Sequence, residues 1–439
     1  MKILINKSKV LNYILLLYGA ILFTSCKKDF GNLNSPTEEQ LLKNPTKDQL
    51  DNIVSGTESA MRINMGLYLD DVGVIGREMY RFSTGDPRYT TDLLGASDAF
   101  LSDNGFYLTN TWSSRYRIVR NCNLLISSTQ GASFLTDAQK KGYTGFAKTI
   151  MAYQLLLNLN LTYNNGIRVD VTNADRPGNY ENLQEALTSI FEILQEGSND
   201  LAAGEVIFSL SSGFSAFNDA DGLNRFNRAL AARVALYRSQ WQDALDALSA
   251  SFFNINGNFS TGAYHVFGTG SGDQLNPAFF PRNSAGDVRL AHPSYAAEIE
   301  PNDSRINKAL TRNESASYQG LASDRDVWVY TSSTAPIPII RNEELVLIFA
   351  EANIQLNNLG DAEDALNIIR NAHNLADYSG ASTQEALIDE MLKQRRYSLF
   401  YEGHRWIDMR RYDRLHELPV DRPEDNVWTE FPVPVTEQQ

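Results

Sequence analysis

The sequence predicts a mainly α protein in which helix hairpins form a scaffold for long irregular loops and a few short strands. Three observations lead there. Apolar residues recur at helical spacing in paired segments, with short polar breaks between the partners. Small residues crowd the inner faces of those segments, allowing close helix packing. Two stretches rich in Gly, Asn, Ser, Asp and Pro, residues 82–111 and 253–341, carry no sustained stripe.

The first element is a leader. Lys2, Lys7 and Lys9 make a basic start, and Leu11 to Phe23 is almost entirely apolar. Such a run is too short to span a bilayer comfortably and marks residues 1–25 as a secretory signal. Thr24-Ser25-Cys26 follows, and small residues leading into a cysteine resemble the bacterial lipobox, whose cysteine is acylated and becomes the first mature residue. Phe23 departs from the commoner Leu, and a plain signal peptide is the alternative. On the lipobox reading Cys26 is the lipidation site, residues 26–439 are the mature body, and several acyl chains hold it to a membrane surface.

Losing residues 1–25 removes three lysines and no acids, so the formal charge moves from −14 to −17. An acidic body is a poor match for nucleic acid or an anionic membrane face. Cys122 is then the only thiol beyond Cys26, which leaves no intramolecular disulfide, and a chain of 439 residues needs none to bury a core.

The helical elements come next. Phe146 to Leu161 and Leu183 to Leu201 read as two helices joined through the Tyr163-Asn164-Asn165-Gly166 turn and a loop. Phe226, Leu230, Val234 and Tyr237 form one stripe, and after Ser239-Gln240 a second follows in Trp241, Ala244, Leu245 and Leu248. Leu345, Ile348, Phe349 and Ala352 pair in the same way with Ala362, Ala365, Leu366 and Ile369 across Asn357–Gly360. These hairpins, near 146–201, 226–250 and 342–372, resemble a tetratricopeptide-type solenoid of irregular spacing. An ordinary helical domain without repeat symmetry is the alternative.

The segment 253–341 is too long for an idle connection. Its many aromatics, Phe279, Phe280, Trp328 and Tyr330 among them, argue against disorder. Val327-Trp328-Val329-Tyr330 alternates as a short strand would. The loop-rich face near 80–111 and 253–341 is therefore where binding residues are expected.

A recognisable signature lies near the end, from Gln394-Arg395-Arg396-Tyr397 through Tyr401-Glu402-Gly403-His404-Arg405-Trp406-Ile407-Asp408 to Arg411. It resembles the C-terminal motif of the SusD/RagB family of outer-membrane lipoproteins of Bacteroidetes. Arg395, Leu399, Glu402, Gly403, Arg405, Trp406, Asp408 and Arg411 fall in register, while Gln394 and Ser398 stand where acids are usual. Part of the family's ion-pair network is therefore expected to be missing. Arg341–Ala352, Phe226–Trp241, Trp112-x-x-x-Tyr116, Asp303-Ser304-Arg305 and Phe431-Pro432-Val433-Pro434 resemble further family segments in the same order. Read from the residues alone, Glu402, Arg405 and Asp408 at three-residue steps are expected to pair along one helix and lock it to the scaffold.

The sequence holds no P-loop, G-x-S-x-G, H-E-x-x-H or paired C-x-x-C motif. Its five histidines have no metal-ligand spacing. Asn218-Asp219-Ala220-Asp221-Gly222 resembles a calcium loop but lacks the later bidentate acid, so it reads as a turn before a helix. No enzyme activity, metal or cofactor is expected.

The family resemblance implies capture of oligosaccharides at the outer membrane, facing outside, for delivery to a SusC-like TonB-dependent transporter. Lys27-Lys28 ahead of Asp29 depart from the acids common after the cysteine of surface-exposed members, which leaves a periplasm-facing position open. Sugars offer apolar C–H faces to aromatic rings and hydroxyls to planar polar groups, so a site needs both together. Two segments have that mixture, and the ligand-binding candidates are Tyr80, Arg81, Asp86, Arg88 and Tyr89 in the first, Trp328 and Tyr330 in the second. Each aromatic could instead be a core residue under its loop. The alternatives are a peptide-capturing RagB-like lipoprotein and a lipid-anchored helical-repeat scaffold binding only proteins. A glycoside hydrolase would need two carboxylates facing one cleft.

Overall fold

The computed structural model describes residues 38–173 and 175–437. The leader and Cys26 lie outside the described residues. Helices α1 (Glu38–Lys43), α2 (Lys47–Ala60) and α3 (Met65–Ile75) lead into strand β1 (Met79–Phe82). Helices α4 (Phe106–Gly131), α5 (Asp137–Thr162), α6 (Leu183–Ala202), α7 (Ala220–Tyr237) and α8 (Trp241–Ser249) then pack each on the next. Helix α10 (Asn342–Gln355) continues the series by packing on α8, on α11 (Leu359–Ala372) and on α12 (Gln384–Ser398). The expected hairpins are all present, and the architecture is the helical, tetratricopeptide-like one.

Their ends follow from local chemistry. Thr136 and Asn182 cap α5 and α6 in reciprocal capping boxes with Gln139 and Glu185. Asp219 accepts from the Gly222 N–H at 2.7 Å and starts α7, so the Asn218–Gly222 stretch is a helix-opening turn. Ala229, Ala231, Ala232, Ala350 and Ala352 are fully buried on the packed faces.

The irregular regions hold more structure than their composition suggests. Residues 106–111 belong to α4, and 253–341 contains most of a four-stranded antiparallel sheet in the order β1-β5-β7-β6. Its members are β5 (Val288–Ala291), β6 (Ala309–Tyr318) and β7 (Leu321–Val327). The expected strand at Val327–Tyr330 is displaced: β7 ends at Val327 and the chain turns away. The hairpin β6–β7 escapes a hydrophobic reading because Arg312, Glu314, Asp324 and Arg325 replace the apolar alternation. Strands β2 (Ile167–Arg168) and β3 (Tyr180–Glu181) pair separately, as do β4 (Gly262–His265) and β8 (Ile337–Arg341), and the short helix α9 (Pro293–Glu298) follows β5.

The C-terminal signature does not form the single helix its spacing suggests. Helix α12 stops at Ser398, and α13 (Arg405–Arg411) starts after a turn with left-handed backbone at Tyr401 (φ 58°) and Gly403 (φ 87°). Glu402 sits in that turn and pairs with Arg341 through two contacts at 2.8 and 2.9 Å, not with Arg405. Asp408 does pair with Arg411, three residues on, and also with Arg395 of α12 at 2.7 Å. Arg411 reaches Glu351 of α10, and Arg233 of α7 forks onto Glu344 with both contacts at 2.6 Å. Ser398, standing where an acid was expected, accepts from Arg305 at 2.9 Å, and Arg305 is otherwise satisfied by Asp303. Buried pairs of this kind are costly to break and fix the register of the helices they join.

One carboxyl in this region is poorly compensated. Glu78 is fully enclosed, accepts the Tyr401 N–H, and burial pushes it up to about 8. In the unfolded chain it loses its proton near 4.5, so between those values the folded protein carries the extra proton. Stability therefore falls as pH rises through this window. Glu78→Gln should raise denaturant stability at about pH 8.5 by at least about 1 kcal/mol more than at about pH 5. Equal gains at both pH values would show that the carboxyl is not the responsible group.

Candidate functional site

Strand β1 runs antiparallel to β5 with Arg81 directly opposite Arg289. Like charges facing each other across a strand pair repel, so the arrangement requires an anion beside them. Asp70 of α3 supplies it. Its carboxylate receives Arg289 through two contacts at 2.6 and 2.7 Å and lies 3.5 Å from the Arg81 Nε. Tyr401 donates its hydroxyl to the same carboxylate at 2.8 Å. Asp287, at 3.3 Å from Arg81, is the outer counter-ion. The neighbouring Asp71 is fully buried, and burial beside Asp70 pushes its carboxyl well above the usual range.

Aromatic rings lie against this pair of cations. The Phe280 ring sits 4.8 Å from the Arg81 guanidinium carbon and 4.3 Å from that of Arg289. Arg81 also covers Tyr89 at 5.1 Å, and Tyr89 meets Phe106 edge-on at 5.4 Å. On the other side, Phe279 approaches Trp328 at 6.1 Å, with Arg282 at 6.0 Å from the indole. Phe106, Tyr89, Phe280, Phe279 and Trp328 are all half-buried. They make a row of two groups, Phe106, Tyr89 and Phe280 gathered around Arg81 and Phe279 with Trp328, which meet along the chain at Phe279-Phe280.

Local sequence explains how the row is held. Asp86 accepts the Arg88 N–H at 3.1 Å and Pro87 opens a single 3₁₀ turn, Pro87–Tyr89, which sets the Tyr89 ring. Asp86 and Arg88 form a fork at 2.7 and 2.9 Å, which holds the Asp86 carboxyl below its ordinary range and lays Arg88 over Phe106 at 4.5 Å. Trp328 follows directly on β7, and its N–H donates to the Lys308 carbonyl at 2.7 Å. Phe82 and Asn283, neighbours in sequence of Arg81 and Arg282, open onto a polar cleft of about 500 Å³ that includes Arg312, Asn313 and Tyr318.

The structure thus brings Arg81, Asp86, Arg88, Tyr89 and Trp328 to one row. It takes Tyr80 and Tyr330 away from it. Alternation along β1 turns Tyr80, 1% exposed, to the face opposite Arg81, where it stacks on Phe82 and meets His292. Tyr330, 4% exposed, packs on Tyr401 and donates to its carbonyl. Both are core side chains with no ring face open to a ligand. Phe106 and the supporting Asp70 and Arg289 were not among the sequence candidates. The Phe279-Phe280 doublet between Pro277 and Pro281 was the signal available for its part of the row.

Among the described residues no group of three or more His, Cys, Asp or Glu side chains is placed to hold a metal ion. None of their helices is long and apolar enough to cross a membrane.

The fold is a helical-hairpin scaffold carrying a small antiparallel sheet and a row of half-buried rings, and comparison with known proteins finds the same fold elsewhere. Residues 291–433 match the SusD family. No curated protein matches the sequence. Many solved structures match, among them a SusD superfamily protein from Bacteroides vulgatus (16% identity, TM-score 0.68, covering 90% of this chain and 97% of that one). Surface glycan-binding protein A from Bacteroides thetaiotaomicron, solved in complex with laminarihexaose, gives 13% identity and a TM-score of 0.69 over 90% of this chain and 97% of that one. A putative sugar-binding protein from Bacteroides vulgatus gives 21% identity and a TM-score of 0.64, covering 89% and 96%. Over its last third the chain matches the SusD family by sequence, and its described body shares the fold of these solved structures.

The Asp70 arrangement is testable apart from any ligand. Asp70→Asn leaves two opposed guanidinium groups without their shared counter-ion and should cost about 3–5 kcal/mol of stability. Asp287→Asn, at a carboxylate whose side chain is 49% exposed, should cost about 1 kcal/mol or less. Equal losses in chemical denaturation would remove Asp70 from its central place.

Proposed function

We propose that this protein is a glycan-binding lipoprotein, anchored through Cys26 at the outer membrane and facing outside, which captures oligosaccharides for a SusC-like TonB-dependent transporter. The observation that carries the reading is the row of half-buried rings with guanidinium and carboxylate groups between them. A sugar ring laid on Tyr89, Phe280 or Trp328 covers apolar C–H surface, while Arg88, Asp86 and Arg282 stand within the same row to meet its hydroxyls. A succession of rings suits a chain of sugars better than a single one. The likeness to a glycan-binding protein solved with laminarihexaose supports the same reading. Lipid anchoring and transporter partnership rest on the leader and on the family resemblance. Binding needs no reaction at the site, so the protein works as a receptor rather than an enzyme.

The test is calorimetric titration of residues 27–439 with a panel of plant, host and microbial oligosaccharides that includes laminarihexaose. Binding should appear for one glycan class and weaken about tenfold or more in Trp328→Ala and Tyr89→Ala. Both side chains are half-exposed, so the variants should keep the fold. Silence across the panel from folded protein would reject glycan capture in favour of peptide capture.

A further inference from the structure

A separate cavity of about 250 Å³ lies among the ends of α5, α6, α7, α8, α10 and α13. Its walls include Tyr163, Tyr237, Trp241 and Tyr412, together with Arg410 and Arg411. No carboxylate lines it, in a chain with 53 acidic and 39 basic residues. Arg411 is neutralised by Glu351 and Asp408. Arg410 is not. It is 6% exposed, its terminal nitrogens donate only to the carbonyls of Thr429 and Asn160 at 2.8 and 2.9 Å, and its Nε has no partner.

The guanidinium of Arg410 is held between two rings, 4.0 Å from Tyr163 and 4.4 Å from Trp406. Rings and carbonyls orient a cation but leave its charge in place, and burial lowers its pKa to about 10. An enclosed charge with no carboxylate in direct contact is costly, and an anion entering the cavity would relieve that cost. The backbone at the rim is also strained. Tyr163 and Ser239, both lining the cavity, have left-handed φ values of 46° and 56°, a conformation that persists only where surrounding structure enforces it.

We infer that this cavity is a second ligand site, distinct from the row of rings on the sheet side, and that it takes a small ring-bearing carboxylate. The charge excess at Arg410 selects the carboxylate, and the aromatic walls select a ring. The volume limits the guest to about one ring, below the usual range of about 300–1,000 Å³ for larger ligands. A monosaccharide acid and an aromatic acid share this chemistry.

Isothermal titration of residues 27–439 with galacturonate, with 4-hydroxybenzoate and with the methyl ester of each tests the assignment. At least one acid should bind saturably, and its neutral ester about tenfold more weakly or not at all. Which acid binds identifies the source of the ligand. Two variants locate the site. Gln184→Glu places a carboxylate at the exposed rim, in the first turn of α6 where an acid favours the helix, and should weaken acid binding about tenfold. Trp241→Ala removes a half-exposed wall and should weaken it as well. Absence of binding by protein that is folded by circular dichroism, equal binding of acid and ester, or undiminished binding in both variants would each overturn the assignment.

Discussion

Three parts of the chain close on the carboxylate of Asp70. It belongs to an early helix, accepts Arg289 from the sheet, stands beside Arg81 from the opposing strand, and takes the hydroxyl of Tyr401 from the turn that precedes the last helix. Arginines face to face across two strands would otherwise weaken their pairing. Residues more than 300 positions apart in sequence thus share one buried charge. The same arginines present their planes to Phe280 and Tyr89, so the electrostatics that assemble the sheet also set the rings.

A second layer of charge ties the helices together. Arg233–Glu344, Arg395–Asp408 and Arg411–Glu351 each connect segments that an apolar interface alone would allow to slide. Their value lies in specificity of register more than in net stabilisation, since desolvation offsets most of the attraction in such pairs. Ser398 shows that the network tolerates a neutral member where another group supplies the hydrogen bond, as Arg305 does with Asp303 as its own counter-ion.

The helices were legible because their buried faces repeat at a period the sequence displays. Phe226, Leu230 and Val234 are buried as their spacing requires, and the caps at Thr136, Asn182 and Asp219 are short-range signals. The sheet was not legible, because the hairpin β6–β7 carries polar side chains along most of its length and joins the sheet only through β5 beside β7. Within the site, Arg81, Tyr89 and Trp328 could be read from aromatic and planar polar residues clustered on loops. Tyr80 and Tyr330 carry the same composition, and only the direction of each side chain separates them from their neighbours. The Glu402 pairing failed for a related reason: spacing of three residues means proximity only while the helix continues, and left-handed backbone at Tyr401 and Gly403 ends it.

The rings of the row stand mostly on connecting segments, whereas the cations beneath Phe280 and Tyr89 belong to paired strands. This separates what must stay from what is free to vary. Single exchanges at the half-buried Tyr89, Phe279 or Phe280 would bring new side chains to a charged seat whose geometry is fixed elsewhere in the molecule. Selectivity could then drift through many substitutions while the folding core remained unaltered, which makes the sheet a socket and the loops its replaceable fittings.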